Sequence, residues 1–256
     1  MVGAEATFST YQQFVRRVCL DVGRKEAFIV RPSYARVREA LERGEVDVAF
    51  VCTGTYLHSL RDKSMRLLVQ PVFRDSLDYR CLVIVPAQSS AATLDDLRGA
   101  VMAFTDSESN TGCIVPCATM LTRGLDPKSY FRKVVFTGSH DRSIMAVAHS
   151  VVDGAAVDSL VWHSALRQDP ELARRVRIIW QSEPFGPPPV VVSAMIDPAL
   201  ETSLRKALLA MDKDPAGHEI LSELGIERFE LPRPQCYETA MTLYEDFERR
   251  GGMSWP

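Results

Sequence analysis

Apolar residues along the chain alternate between helical spacing and short continuous runs, which predicts helices and buried strands in succession. In the stretch SYARVREALERGEVDVAFV, Tyr34, Val37 and Leu41 fall on one helical stripe. Gly44 follows where a helix would end, and VDVAFV is typical of a buried strand. This stretch therefore predicts a helix followed by a strand.

The same alternation continues along the rest of the chain. YRCLVIVP and PPVVVSAMID are apolar runs rich in β-branched residues, and Thr93 and Asp96 between them have the spacing of a capping box. YFRKVVFTG adds another strand-like run, and the sequence after IDPALETSLRKALLAM has a helical pattern. We therefore expect an α/β fold with largely parallel sheets.

An internal repeat indicates that two parts of the chain are built alike. Shifting SYARVREALERGEVDVAFV by 106 residues aligns it without a gap on SHDRSIMAVAHSVVDGAAV, with identity at seven of 19 positions. The identical pairs are Ser33 and Ser139, Arg36 and Arg142, Ala40 and Ala146, Val46 and Val152, Asp47 and Asp153, Ala49 and Ala155, and Val51 and Val157. Two similar lobes are the expected result.

The repeat also predicts where a ligand would bind. It equates Tyr34 with His140 at two helix starts, and Cys52-Thr53 with Asp158-Ser159 just after two strands. Ligands of open α/β sheets bind beyond the carboxyl ends of strands, beside helix N-termini. The expected lining of a cleft is Thr53, Thr55, Tyr56, Ser109, Asn110, Thr111, Ser139, His140, Asp158 and Ser159.

The segment FTDSESNTGCIVPCATML passes from an apolar strand through a polar loop into a helical pattern. Ser109, Asn110 and Thr111 carry short donor and acceptor side chains, and Gly112 allows a close approach of the backbone. Such a loop suits a small oxyanion. The same residue types are also ordinary N-caps for a helix that begins at about Cys113, so both interpretations stand at this point.

Composition excludes several classes of function. The 256 residues are 46% hydrophobic and 25% charged, and 30 Lys+Arg against 33 Asp+Glu give a net charge of -3 without a large basic cluster. Nucleic acid is therefore not expected as a partner. No run approaches the roughly 18 apolar residues of a membrane span, and the first residues lack the pattern of an export signal. The six cysteines are scattered and lack the spacing of a zinc site, so we expect no metal. We expect no cofactor either.

Several motifs together resemble the phosphate-, phosphite- and phosphonate-binding solute receptors of ABC importers. They are SYARVREALERGEVDVAFV with Tyr56, YRCLVIV, LRGAVMAFTDSESNTGCIVP, GLDPKSYF, GSHDRSIMAVAHSVVDGAAVDS and ILSELGI, and the resemblance runs from about Tyr11 to Phe247. It implies the type II periplasmic-binding-protein fold, with two Rossmann-like lobes joined by a two-segment hinge. It also implies a periplasmic protein that binds a small oxyanion, most readily a phosphonate, and works with an ABC permease.

The resemblance implies a set of ligand-binding residues. In such receptors, hydroxyls and backbone N–H groups at a helix N-terminus surround the oxyanion, a second lobe supplies a tyrosine, and a histidine and an acid lie in the cleft. Carried over to this chain, the set is Tyr56, Tyr79, Ser109, Asn110, Thr111, His140 and Asp158.

This chain departs from the family pattern in two places. The family's turn usually reads Ser-Thr-Ser-Gly, whereas this chain has Ser-Asn-Thr-Gly at 109–112. The family also begins with a strand before its first helix, and nothing before the helix expected around Tyr11 to Leu20 is apolar enough for that strand. We expect lobe one to hold residues 1–84 and 192–256 and lobe two 85–191, with hinge segments at Ile84-Val85-Pro86 and Pro189-Val190-Val191.

Two alternative functions remain open from the sequence. Ser109, His140 and Asp158 have the residue types of a hydrolase triad, although no G-x-S-x-G elbow is present. The same fold could also be the ligand-sensing part of a signalling protein. A carboxylate at Asp158 would repel a bare oxyanion, so we expect it to receive a cationic group or a proton of the ligand.

Overall fold

The computed structural model describes residues 5–74, 78–252 and 255. In chain order the elements are α1 (Glu5–Asp21), α2 (Tyr34–Glu42), β1 (Val48–Phe50), α3 (Thr53–Ser59), β2 (Met65–Phe73), β3 (Cys81–Pro86), β4 (Val101–Phe104), α4 (Val115–Thr122), α5 (Pro127–Tyr130), β5 (Lys133–Phe136), α6 (His140–Ala148), β6 (Gly154–Asp158), α7 (Ser159–Gln168), α8 (Leu172–Arg175), β7 (Val176–Gln181), β8 (Val190–Ser193), α9 (Pro198–Ala210), α10 (Pro215–Glu223), β9 (Ile226–Glu230) and α11 (Glu238–Arg249).

Short turns of other helix types occur at Leu94–Leu97, Asn110–Ile114, Met211–Lys213 and Pro234–Tyr237. The first of these has the capping box that the spacing of Thr93 and Asp96 predicts. Within the described residues, no helix combines the length and hydrophobicity needed to cross a bilayer.

The chain divides into two compact units. The outer unit contains residues 5–74 and 187–235, and the middle unit contains residues 78–186, 236–252 and 255. Each unit has its own sheet and its own hydrophobic core.

The outer unit is built on a four-stranded sheet in the order β1-β8-β2-β9. Its core includes Phe14 from α1, Leu68 from β2, Val192 from β8 and Leu208 from α9. Phe14 and Val18 occupy one face of α1 because residues four apart lie on the same side of a helix. Helix packing against the sheet therefore accounts for the apolar spacing seen in the sequence.

The middle unit is built on a five-stranded sheet in the order β5-β4-β6-β3-β7. All six residues of β3 are buried, because β3 lies between β6 and β7. Its core joins Ile84 of β3 and Ala103 of β4 to Ile144 of α6 and Trp162 of α7. This arrangement brings the carboxyl ends of β4 and β6 to the same edge of the sheet, since the two strands are parallel.

The expectation of largely parallel sheets is wrong. β4 pairs in parallel with β5 and β6, but the remaining described strand pairings in both sheets are antiparallel. The chain enters the middle unit at β3 and re-enters the outer unit at β8, and each of these strands runs against both of its neighbours. A buried apolar run has the same appearance in either direction, so the sequence pattern could not distinguish the two arrangements.

The two units also differ in their boundaries from the lobes predicted by sequence. The structure groups residues 78–84 with the middle unit, because β3 pairs with β6 and β7. It groups residues 236–252 there too, because α11 packs on α4. The predicted hinge residues lie within β3 and at the start of β8, whereas the chain passes between units between residues 74 and 78, at 186/187 and at 235/236. Movement of the units remains a prediction.

The described part of the chain before β1 contains α1 and α2 and no strand. The family's usual first strand therefore has no counterpart in residues 5–47.

The internal repeat of 106 residues is confirmed in the structure. α2 and α6 are both nine residues long, and they begin at the equivalent positions Tyr34 and His140. Ser33 and Ser139 cap them in the same way, each accepting a hydrogen bond from the backbone N–H three residues later. The strands that follow begin at Val48 and Gly154, and the next helices at Thr53 and Ser159, which keeps the same offset.

Candidate functional site

The polar segment after β4 leads into α4 through a single π-helical turn. Ser109 caps it, and its Oγ accepts a hydrogen bond from the Gly112 N–H at 3.1 Å. Residues Asn110–Ile114 form a π-type turn that continues into α4. Such turns are rare in proteins overall, and those that occur are often found at functional sites. The helix therefore begins three residues before the position expected from the sequence, Cys113.

Close packing against Thr105 explains the glycine in this turn. A Cβ added at Gly112 would lie 2.6 Å from Thr105 Oγ1 and 2.8 Å from Ser109 Oγ. The Thr105 N–H also donates to the Gly112 carbonyl at 3.1 Å. The backbone of the turn is thus held directly against the end of β4.

The side chains of the turn are enclosed. Ser109, Asn110 and Thr111 all have no exposed surface. Thr111 Oγ1 lies 3.5 Å from the hydroxyl of Tyr79, which is itself buried just before β3. Because a hydroxyl that accepts a hydrogen bond still carries its own proton, Ser109 can cap the helix and also donate. Capping and anion binding are therefore compatible at this position.

His140 occupies the first position of α6 and is almost completely buried. Its Nδ1 accepts a hydrogen bond from the backbone N–H of Asp158 at 3.1 Å, and it lies 3.1 Å from Thr105 Oγ1. Burial lowers the pKa of this histidine well below its usual value, because the charged imidazolium is poorly solvated there. The ring is therefore neutral at physiological pH.

Asp158 ends β6 and caps α7. Its Oδ1 accepts hydrogen bonds from the N–H groups of Leu160, at 2.7 Å, and Val161, at 3.4 Å. Burial raises the pKa of this carboxyl to about 6, although the two backbone hydrogen bonds act in the opposite direction. The pKa of Asp158 is thus set by two opposing effects, of which burial is the larger.

Three helix N-termini meet at this edge of the middle sheet. They belong to the turn that begins at Asn110, to α6 and to α7, and Thr105, His140 and Asp158 connect them through the contacts above. Helix N-termini carry partial positive charge and free N–H groups, which suit an anion. The cluster can therefore bind an anion with hydroxyl, amide and imidazole donors.

The remaining predicted residue, Tyr56, lies in the outer unit. It is buried on α3, and burial raises the pKa of its phenol. Thr55, its neighbour, is also buried, and its hydroxyl has no hydrogen-bond partner among the described residues. The structure thus brings six of the seven predicted residues into the middle unit and places Tyr56 on the equivalent helix of the other repeat.

The structure gives Ser159 and Thr105 roles that the sequence did not indicate. The hydroxyl of Ser159 donates to the Asp78 carbonyl and accepts from the Arg80 N–H. Ser159 therefore stabilises the segment just before β3. Thr105 forms the contact between the turn and His140, and nothing in the sequence pattern marked it as a site residue. Its one sequence signal was its position directly after a strand.

The residues of the hydrolase alternative, Ser109, His140 and Asp158, do not have the arrangement of a catalytic triad. A triad histidine donates its Nδ1–H to the carboxylate of the orienting acid. Here Nδ1 of His140 accepts from the backbone N–H of Asp158, while the Asp158 carboxylate caps α7. The described residues also contain no cluster of histidine, cysteine and acidic side chains that could hold a metal ion.

Comparison with known families gives a match over most of the chain. A family described as the periplasmic substrate-binding protein of phosphonate ABC transporters matches residues 2–237. Among curated proteins, the phosphate-import protein PhnD of Mycolicibacterium smegmatis is 22% identical over 222 residues, which cover 82% of this chain and 69% of that protein.

Solved structures show the same fold. A binding protein component of an ABC phosphonate transporter from Pseudomonas aeruginosa superposes with a TM-score of 0.89 at 19% identity, covering 98% of this chain and 84% of that one. PhnD1 from Prochlorococcus marinus, in complex with methylphosphonate, gives 0.85 at 15% identity and covers 98% of this chain and 96% of that one. The fold is therefore of the type II periplasmic-binding-protein class.

Proposed function

This chain belongs to the family of periplasmic substrate-binding proteins of phosphonate ABC transporters, and from that premise we propose that it binds a small phosphonate, or the related phosphate or phosphite, for import. Its role is to bind the ligand without transforming it and to present it to an ABC permease. The periplasm is the compartment in which such a receptor works. The relatives' ligands, methylphosphonate and phosphate, support this chemical class.

The observation that carries the proposal is the meeting of three helix N-termini around Thr105, His140 and Asp158. A tetrahedral oxyanion has several acceptor oxygens pointing in different directions, so it needs donors from more than one element. The turn at 109–112 and the starts of α6 and α7 offer such donors from separate elements of one compact unit. Ser109, Asn110, Thr111 and His140 are the donors that we assign.

Two tyrosines, one in each unit, are also assigned as ligand-binding residues. Tyr79 is assigned because its hydroxyl lies beside Thr111 Oγ1. Tyr56 is assigned because it lies on α3, the helix of the outer unit that corresponds to α7 in the repeat. Replacing Tyr56 with Phe, which keeps the ring and removes the hydroxyl, tests its contribution separately.

Asp158 gives the site a preference among phosphonates. Its capping hydrogen bonds use Oδ1, and its carboxylate is destabilised by burial. A ligand that carries an ammonium group would relieve that destabilisation, because opposite charges attract strongly where water is excluded. We therefore assign an aminoalkylphosphonate as the preferred ligand.

The preference is measured as the ratio of the affinities for aminoethylphosphonate and methylphosphonate. The parent protein should favour the amino compound, and Asp158→Asn should reduce that preference. Equal affinities in the parent, or a ratio that the substitution leaves unchanged, would show that Asp158 does not receive the cation. Binding of the protonated ligand would then predict an affinity that falls as pH rises through the second ionisation of the ligand.

A thermal-shift panel tests the function as a whole. Phosphate, phosphite, methylphosphonate, aminoethylphosphonate and sulfate are added to folded protein, and a ligand at 100 times its dissociation constant stabilises by about 2.7 kcal/mol. At least one phosphorus oxyanion should raise the melting temperature of the parent more than that of Thr111→Val. A folded parent protein that responds to none of them would refute the proposed function. Incubation with a chromogenic ester checks the absence of hydrolysis.

A further inference from the structure

Thr105 is buried at the junction of three segments that form the candidate site. Its N–H donates to the carbonyl of Gly112 in the turn, and its carbonyl accepts from the N–H of Gly138, which leads into α6. Its hydroxyl points to a different partner, Nδ1 of His140, at 3.1 Å. One residue therefore fixes the turn and the histidine relative to each other.

The contacts of His140 determine which ring nitrogen carries the proton. A backbone N–H is always a donor, so the Asp158 N–H requires a lone pair on Nδ1. A proton on Nδ1 would face the Asp158 N–H directly, which excludes both the Nδ1–H tautomer and the imidazolium. The Thr105 hydroxyl, which is able to donate or accept, can then only donate to Nδ1, so it shares the single lone pair with the Asp158 N–H in a three-centre hydrogen bond.

We propose that the Asp158 N–H and the Thr105 hydroxyl together hold His140 as a neutral imidazole with its proton on Nε2, with Thr105 as a positioning residue, so that Nε2–H donates to an oxygen of the ligand. The donation to a ligand rests on the proposed function, whereas the tautomer does not. A histidine held in this way selects for an acceptor atom without adding charge. It thereby favours an unprotonated, charged ligand oxygen, which is a stronger acceptor than the oxygen of a hydroxyl.

The tautomer is measured by nitrogen NMR of ligand-free protein labelled at its histidines. Spectra of the parent and of His140→Gln, compared near neutral pH, identify the signals of His140 among the five histidines of the chain. The parent should show an unprotonated Nδ1 and a protonated Nε2. A proton on Nδ1, or a doubly protonated ring, would overturn the proposal whether or not any ligand binds.

The role of Thr105 is measured with a matched pair of variants. Thr105→Val removes the hydroxyl at nearly constant shape, and Thr105→Ser retains it. The Nδ1 resonance should move in the valine variant and stay near its parent position in the serine variant. The affinity for methylphosphonate should fall about 3- to 10-fold in Thr105→Val, the range expected for one hydrogen bond, and change less than about 2-fold in Thr105→Ser.

A double-mutant cycle separates positioning from general stability. If Thr105 acts through His140, Thr105→Val should cause no further loss of affinity in a His140→Gln background. An equal loss in both backgrounds would overturn the positioning role. If Thr105→Val fails to fold, the spectra of the parent still decide the tautomer, and Thr105→Ala, which also removes the hydroxyl, takes the place of the valine variant. If the parent binds no panel member, the proposed function fails, and the spectra decide the tautomer separately.

Discussion

Single side chains at the site serve two opposing requirements, and Asp158 shows this most clearly. It accepts two hydrogen bonds from the start of α7, yet burial raises its pKa from 3.8 to about 6. Ionisation of Asp158 is therefore less favourable in the folded state than in the unfolded chain. The stability associated with protonated Asp158 is fully present below about pH 4 and is lost as pH rises through about 6.

Asp158→Asn should consequently stabilise the ligand-free protein at neutral pH. Asparagine keeps a capping oxygen and carries no charge, and a shift of about two pKa units corresponds to at most about 3 kcal/mol, so we expect a gain of about 1–3 kcal/mol near pH 7.5. Urea denaturation measures it, and the gain should shrink markedly near pH 4.5. The same difference at both pH values would contradict the pKa assignment.

Thr111 tests the binding role of the turn at the level of one hydroxyl. Thr111→Val should weaken oxyanion binding by about 1.5–3 kcal/mol, the usual contribution of a hydrogen bond to a charged group, while Thr111→Ser should retain most of the affinity. Isothermal titration measures both. A loss of stability in Thr111→Val with unchanged affinity would assign the hydroxyl to the fold, through Tyr79, instead of to the ligand.

At the scale of residues, the sequence identified the turn but not its connections. Ser109, Asn110 and Thr111 stand out because a polar loop interrupts an apolar pattern. Thr105 does not stand out, since its partner His140 lies 35 residues away and one threonine after a strand carries no periodic signal. Long-range side-chain contacts of this kind depend on how strands are ordered in the sheet.

At the scale of elements, the repeat predicted matching helix starts and strand ends, and the structure extends the match to the point where each helix ends. The equivalent positions Gly44 and Ser150 both have positive φ, at 66° and 54°. Glycine adopts this conformation readily, whereas a side chain makes it unfavourable. The second repeat therefore contains a strained residue where the first has glycine.

Ser150→Gly should stabilise the protein by about 0.5–1 kcal/mol, because it removes the left-handed strain. Its exposed hydrogen bond with Gln88 is lost, but such contacts contribute little at the surface. The free energy of unfolding in urea measures the change, with Gly44→Ser as the opposite substitution at the equivalent position. A destabilised Ser150→Gly would show that the Gln88 contact outweighs the backbone strain.

Gly112→Ala should have the opposite effect to most Gly→Ala substitutions in helices. Alanine is normally favoured by about 1 kcal/mol in a helix. Here the new methyl would lie 2.6 Å from Thr105 Oγ1 and 2.7 Å from Thr105 Cβ, so the turn must move. We expect a loss of about 1–3 kcal/mol in stability together with weakened ligand binding. If Gly112→Ala unfolds at the same temperature as the parent, the close packing of Gly112 against Thr105 is refuted.

Strand direction is the element-scale feature that the sequence did not provide. Helix and strand patterns located β3 and β8 correctly as buried strands. Their antiparallel pairing follows from where the chain enters each unit, which hydrophobic spacing does not encode.

At the scale of the whole molecule, the sequence predicted two similar units but misassigned the C-terminal segment. α11 buries Ala240, Tyr244 and Phe247, and it packs on α4 of the middle unit. An amphipathic helix near a chain end reveals which face is buried, but not which of two cores covers it. The family resemblance supplied the fold class, and the structural comparisons agree with it.

Isothermal titration of the intact protein with aminoethylphosphonate and methylphosphonate tests the central claim most directly, with Thr111→Val as the control of matched shape. We predict saturable binding of one phosphonate per chain in the parent and binding weakened by about ten-fold or more in the variant, since each 1.4 kcal/mol is a factor of ten. A folded parent that binds neither phosphonate, or that binds them as tightly in Thr111→Val, would contradict the account of this site.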